Sequence, residues 1–582
     1  MRNLHRVLIG LLIVSASACS DRLNVENLNN PDRTRALARP SDVEALIGGS
    51  FKAIWDNIEG TQTNIRPGMW NMSLESYANL ANWNQGGFGS IPRAPIPNTR
   101  GNSAFDVNFQ QYQSLYQAAR QAAVGLARVS DPTFVFFPAS AAQTNRAKSF
   151  ANFIIGVALG YVSMAFDSGA VVSPNDPAGT PVPLPLMAYD SVNRAALRYL
   201  QVADSLAGLS PAGGNGFPLP SAWLPTTTAL SAANFQALCR GYRAIFRSGV
   251  ARSPTEAASV NWDSVIANAN AFVAVYGPLS AFEVSLTTST PAWTVGVPGA
   301  GDQQQMHLYG AWHQMWQFMM GMADTLTPGV PNYNTWLATA RQNRAPFLVQ
   351  SPDLRIPSGS TRGAQNTSSN ITSSNDDVMP PAGTPWYMGR PYFRNRLPGN
   401  DLPGEPLAFS MYDHYRFRRY SHSGGFNGIG SWPFITASEV RLLAAEGYLM
   451  KGNLASALPL IDASRVGQGG LPPLTGVITT PTQPVPGGNA CVPKVPDPAA
   501  NFASAVCGNA WEAMKWEYRM ETAFTSWGNW YFAGRRWGDL PEGTPLHWPQ
   551  PYQELDTRRE PLYSVGGVGG AGAQAFKGTY GL

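Results

Sequence analysis

The chain has 582 residues, enough for one large domain or several, yet it carries a formal net charge of only +4 and 13% charged residues, where an average soluble protein has about 25%. So weak a field, with no local Lys/Arg cluster, argues against a nucleic-acid partner. Polarity comes instead from Asn, Gln, Ser and Thr, alongside 48 Pro, 57 Gly and 17 Trp, which is the surface chemistry of an extracytoplasmic binder more than of a cytosolic enzyme.

Arg2 and Arg6 precede an apolar run from Val7 to Val14, and the small residues Ser15-Ala16-Ser17-Ala18 lead into Cys19. That order reads as a bacterial lipoprotein signal, because the residue after the cut is a cysteine whose thiol can take a diacylglycerol chain. The run is too short to span a bilayer as a helix. Residues 1–18 are expected to be the signal peptide and 19–40 a lipidated tether, with the Asn-rich Leu23–Asp32 as its unpatterned part. Ser20, standing where an Asp would retain the protein at the inner membrane, permits sorting to the outer membrane. The expected location is the outer membrane, lipid-anchored and facing the exterior.

A single domain is expected over 41–582. Ser41 and Asp42 can cap a helix whose Val43, Leu46, Ile47, Phe51 and Ile54 fall at helical spacing. A second helix begins near Phe109, with Tyr112, Leu115, Tyr116 and Ala119 on one stripe. From Arg146 the stripe is Phe150, Phe153, Ile154, Val157, Ala158 and Tyr161, with Gly156 and Gly160 admitting a close neighbour. Phe150 to Phe166 is uncharged, so a membrane span is conceivable, but Arg146, Lys148 and Asp167 press on both ends and favour a buried helix. Further helices follow over Tyr189–Leu206, around Phe235–Phe246 and around Trp262–Ala269.

From about 278 to 432 the chain changes character to short runs, prolines and a polar stretch, apart from one more expected helix in the Met-rich patch His307–Met322. Long irregular stretches in a packed protein usually carry function. Helix is expected to return at Ile435, where Ala445, Tyr448, Gly452, Leu454, Ala457 and Ile461 occupy the positions of a tetratricopeptide helix pair, with Gly452-Asn453 as the turn. The fold class is therefore mainly α: a tetratricopeptide-like helix-pair array, with pairs over about 41–275 and 435–540 and a loop-rich, irregular ligand-binding face between them. Cys491 and Cys507 bracket the Pro-rich Val492–Val506, and a disulfide is expected there, contributing about 3 kcal/mol by loop closure. Cys239 reads as a buried thiol.

Near the end, Glu517-x-Arg519-Met520-Glu521-x-Ala523-Phe524, Trp530-Tyr531 and Arg535-Arg536-Trp537-Gly538 are followed by Pro545-Leu546, Trp548-Pro549-x-Pro551 and Glu554-Leu555. These motifs, with the lipidated start and the helices at Arg146 and Ile435, resemble the SusD/RagB family of outer-membrane nutrient-binding lipoproteins. Tyr518 stands where the family has Arg, Thr525-Ser526 where it has Glu-Gly, and Asp167-Ser168-Gly169 where it has Tyr-Gly-Asp-x-Pro. The resemblance implies four tetratricopeptide-like helix pairs, a glycan or peptide ligand, and a TonB-dependent outer-membrane transporter (SusC-like) as partner.

Sugar rings stack their C–H faces on Trp and Tyr, while Asn, Gln and Arg serve the hydroxyls. Two loops have that mixture: Trp70-Asn71 through Trp83, Asn84 and Gln85 to Arg93, and Trp386, Tyr387, Arg390, Tyr392, Arg394 and Arg396. The ligand-binding candidates are Trp70, Trp83, Asn84, Trp386, Tyr387, Arg390 and Tyr392. No catalytic residue, metal site or cofactor is expected. Asp376-Asp377 are adjacent and cannot flank a glycosidic bond, His307 and His313 have no ligand companions, and Gly566–Gly572 reads as a flexible loop without phosphate-binding context. The C-terminal Glu/Arg/Trp group reads as structural. Two rival classes remain, a lipid-anchored glycoside hydrolase and a protein-binding tetratricopeptide scaffold.

Overall fold

The computed structural model describes residues 37–58, 65–78, 84–101, 106–134, 141–176, 183–209, 216–226, 228–286, 314–368, 390–399, 401, 404–414, 416, 430–525 and 527–582. Cys19, the tether to residue 36, His307, His313 and Asp376-Asp377 lie outside them.

Helices α1 (Pro40–Ile58), α2 (Asp106–Ser130), α3 (Ala141–Ala165), α4 (Tyr189–Ala207), α5 (Ala232–Gly249), α6 (Trp262–Tyr276), α7 (Ala437–Met450) and α8 (Leu454–Arg465) form the scaffold. Each packs on the next in that order, so the eight make four consecutive pairs. Their ends follow from local chemistry. Asp42 lies in the first turn of α1, where a carboxylate suits the helix dipole. Ser231, Asn261, Thr436 and Asn453 accept backbone N–H bonds at the starts of α5 to α8. Gly452, at φ +70°, makes the turn between α7 and α8 in a conformation few other residues adopt.

Helix α3 is the centre of this layer, buried without interruption from Ser149 to Ala165. It is the one described helix long and apolar enough to cross a membrane, and its apolar stretch is buried inside the protein. Its neighbours come close because two glycines let them. A Cβ on Gly160 would stand 2.1 Å from the ring of Phe246 on α5, and one on Gly156 would stand 2.7 Å from Leu200 on α4.

Between α6 and α7 the chain leaves the array. Strand Ala281–Leu286 pairs antiparallel with Gly430–Thr436, so departure and return run side by side and α6 packs on α7 as though the excursion were absent. Ile435, expected to begin a helix, is on that returning strand; α7 starts at Ala437. The Met-rich patch also differs from expectation. Gln314–Met315 is a strand and only Gln317–Gly321 is helical, because Gln314–Met315 is an inner strand of a small sheet, paired on both sides; residues 307–313 are not among those described.

The excursion and the segments after α1 build a second apolar core, containing Trp70, Leu74, Trp316, Phe318, Tyr392 and Tyr412. Helix α9 (Ala510–Thr522) lies between the two cores. Its Met514 and Tyr518 belong to the helical core, and its Trp516 and Met520 to the other. Helix α10 (Asn529–Trp537) follows, with Arg536 and the Trp537 indole both donating to Glu446 of α7. Cys491 and Cys507 are joined, and the segment they bracket is an antiparallel hairpin of Lys494–Pro496 against Ala505–Cys507. The Gly-rich end is fixed: Val565–Gly566 pairs with Pro95–Ile96, and the Gly567 N–H donates to Gly543.

Candidate functional site

Described residues on either side of the two aromatic loops meet in a four-stranded sheet. Ser76–Tyr77 pairs antiparallel with Gln314–Met315, that strand with Tyr412–His414, and that with Phe393–Asn395. Following the register across, Tyr77 opposes Gln314, Gln314 opposes Asp413, and Asp413 opposes Arg394. With every neighbour antiparallel, the chain leaves the first strand after Tyr77 at the same end of the sheet at which it enters the last strand before Phe393. The residues that flank both loops therefore stand at one end of one small sheet, although more than three hundred positions separate them in sequence.

Asn84 and Arg390 lie at the border of that region. Asn84, at φ +56°, precedes the short helix Gln85–Gly89. Arg390 is exposed and donates to the Gly467 carbonyl at 2.7 Å. Trp83, Trp386 and Tyr387 fall outside the described residues. Trp70 and Tyr392 need correction as ligand contacts, since neither exposes any surface. The Trp70 ring sits 4.8 Å from that of Phe524, with the Arg66 guanidinium on it at 5.2 Å, and His414 stacks on Phe524 at 4.5 Å. Tyr392 carries the Arg416 guanidinium at 3.8 Å and donates its hydroxyl to Glu521 at 3.2 Å. Each belongs to the second apolar core.

The polar residues of these loops are similarly engaged. Arg93 is buried and donates to Phe88, to Ser90 (3.1 Å), to Met72 (3.0 Å) and to the Thr544 hydroxyl (3.2 Å). Burial pulls its pKa down to about 9. Arg394 grips Asp413 with two bonds of 2.7 and 3.0 Å, the forked geometry that suits guanidinium and carboxylate.

A buried ionic latch ties the excursion to α9. Arg355 donates to Asp353 (2.8 Å), Glu517 (2.6 Å) and Glu521 (3.2 Å), Arg416 donates to Glu521 (3.0 Å), and Arg465 stands 3.9 Å from Glu517. Burial opposes both charges of the central pair, but Arg355 holds the Asp353 carboxyl below its usual range and the acids hold Arg355 above its own. Glu517 and Glu521 belong to the C-terminal group read as structural, but no spacing tied them to Arg355, which lies 162 positions before Glu517. These carboxylates have essentially no exposure, so they cannot meet a substrate. Among the described residues, no group of three or more His, Cys, Asp or Glu could hold a metal ion.

No protein-family model and no curated protein matches the chain. Among solved structures it is similar to a SusD superfamily protein from Bacteroides vulgatus, at 12% identity over 90% of each chain and a TM-score of 0.48. It is similar to another SusD superfamily protein, from Bacteroides fragilis, at 13% identity over 90% of this chain and 99% of that one, with a TM-score of 0.47. A SusD-like carbohydrate binding protein from Bacteroides fragilis overlaps at 12% identity, 86% and 87% coverage and a TM-score of 0.45.

Proposed function

We propose that this protein is a non-catalytic, lipid-anchored protein of the outer cell surface, resembling the SusD/RagB family, that holds an oligosaccharide or a short peptide for a TonB-dependent, SusC-like transporter. The observation that supports this reading is the small sheet that brings the described residues flanking both aromatic loops to one end, next to a buried ionic latch. Stacking and hydroxyl hydrogen bonds are worth most when the protein side is already ordered. The anchor rests on the Arg2-to-Cys19 signal, and the transporter on the family resemblance of the C-terminal motifs.

The test uses the full-length protein in mild detergent on a glycan array, followed by calorimetry with each glycan retained. Trp83→Ala and Trp386→Ala should each weaken binding by about 1–3 kcal/mol if the ring stacks on sugar, by analogy with bases stacked on aromatics, and leave the melting temperature unchanged. Co-purification of a TonB-dependent transporter from gently solubilised membranes should persist in both variants. Unchanged affinity in both, or shortening of the bound glycan over many turnovers, would overturn the reading.

A further inference from the structure

A cavity of about 320 Å³ opens beside the first helix pair, sharing no residue with the two aromatic loops. One wall is the face of α2 that carries Phe109, Tyr112, Gln113 and Tyr116, positions that one helical face brings together. The rings are held from behind. Tyr112 lies 4.6 Å from Tyr116 and edge-on to Phe166 at 5.1 Å, and the Tyr116 hydroxyl donates to the Ala170 carbonyl at 3.0 Å. Burial raises both phenol pKa values, so both hydroxyls stay protonated.

The opposite wall is Glu554 and Arg558 of the short helix Tyr552–Arg558. That helix is seated by Asn98, which accepts from the Tyr552 N–H at 3.0 Å and donates to the Gln550 carbonyl at 2.8 Å. Arg558 donates to the Leu184 carbonyl through Nη1 and meets Oε1 of Glu554, a lining residue, through Nε and Nη2, so that pairing uses only one of the two carboxylate oxygens. At the rim Arg120 pairs with Asp176 at 3.2 Å.

Each arginine already has a carboxylate, Arg558 in Glu554 within the lining and Arg120 in Asp176 outside it, so the charges at the site are compensated and favour neither an anion nor a cation. It offers an aromatic wall, an exposed amide at Gln113 and a carboxylate oxygen. A site of about 300 Å³ lies at the small end of ligand pockets and excludes a long chain.

We propose that this cavity is a second ligand site that takes one or two rings of a neutral sugar, with a C–H face against Phe109 and Tyr116, which are half-buried where Tyr112 behind them is buried, and hydroxyls bonded to Glu554 and Gln113. The inference stands on the cavity alone and does not require the loop face to bind anything.

The test is saturation-transfer NMR and calorimetry on the full-length protein in mild detergent, with glucose, galactose, mannose, xylose, maltose and cellobiose as probes and acetate and the dipeptide Ala-Ala as charged comparators. At least one sugar should bind saturably. Gln113→Trp, at an exposed helix position, fills the mouth without entering the core and should abolish that signal while the melting curve is kept. Glu554→Gln should weaken it about tenfold through loss of a charge-assisted hydrogen bond. The double variant Trp83→Ala/Trp386→Ala should bind the same sugar as wild type does. The proposal is overturned if no sugar saturates, if acetate or Ala-Ala binds better than every sugar, or if Gln113→Trp and Glu554→Gln both behave as wild type. Loss in the Trp double variant alone would place the sugar at the loops, ending this proposal and supporting the other.

Discussion

Glu75 and Glu439 show how a single buried carboxyl sets a pH response. Glu75 is fully buried, with one oxygen accepting from the Phe524 N–H at 2.7 Å, and burial pushes its pKa up to about 8. Glu439, in the first turn of α7, is raised to about 8 by the same cause. Both folded values lie above the 4.5 of a free glutamate. The fold therefore favours the protonated acid, so this stabilisation is complete below about pH 4.5 and is lost as pH rises through about 8, at up to about 1.4 kcal/mol per pH unit for each group. Melting temperature should accordingly fall from pH 5 to pH 8, and Glu75→Gln should flatten that fall; an identical slope in the variant would refute the assignment. At the same scale, Trp70→Ala should cost about 3–5 kcal/mol in a denaturant titration, whereas Trp83→Ala should cost stability little. Sequence could not separate these two indoles. The same ring suits a sugar face or a core, and what decides for Trp70 is Phe524, four hundred and fifty-four positions away.

At the scale of elements, legibility tracked how local the partner is. Helix α3 could be read because its own stripe and its two glycines state what it needs, and α4 because Ala196, Leu200 and Ala203 lie on one buried face. The strand at Ile435 could not, because Trp432-Pro433-Phe434-Ile435 is apolar under either period and its partner begins at Ala281. For the same reason the loop-rich excursion was visible as a change of composition, while the sheet that organises it was not. Two element-level outcomes follow. Gly160→Ala should destabilise by about 1–3 kcal/mol, since the added methyl must displace Phe246 in a closed core; chemical denaturation measures it. Replacing Cys491 and Cys507 together by serine should cost about 3 kcal/mol for a loop of this length, and peptide mapping without reductant should recover both cysteines in one linked fragment from wild type.

For the whole molecule the latch around Arg355 is the joint between a helical scaffold and a loop layer. Breaking a buried ionic cluster from one side leaves uncompensated charge and costs about 3–5 kcal/mol. Arg355→Met should therefore loosen the layer it secures before it affects the array. Hydrogen exchange should quicken first at 315–322 and 392–416 while α3 and α4 keep their protection; uniform quickening would show that the two layers do not separate. The surface address is also a whole-chain property: Cys19→Ser should lose incorporated fatty acid and pass to the soluble fraction, and equal labelling in both proteins would refute the anchor.

The pairing of the early and late chain has a consequence in time. Arg93 finds Thr544 across 451 positions, Asn98 finds Gln550 across 452, and Pro95–Ile96 pairs with Val565–Gly566. A ribosome adding about 5–20 residues per second needs on the order of 20–90 s to bridge such a gap. For that interval an arginine meant for burial and an open strand edge stay exposed in a half-made chain. An escort that shields strand edges during synthesis or export would serve this protein most between the appearance of residue 100 and that of residue 566.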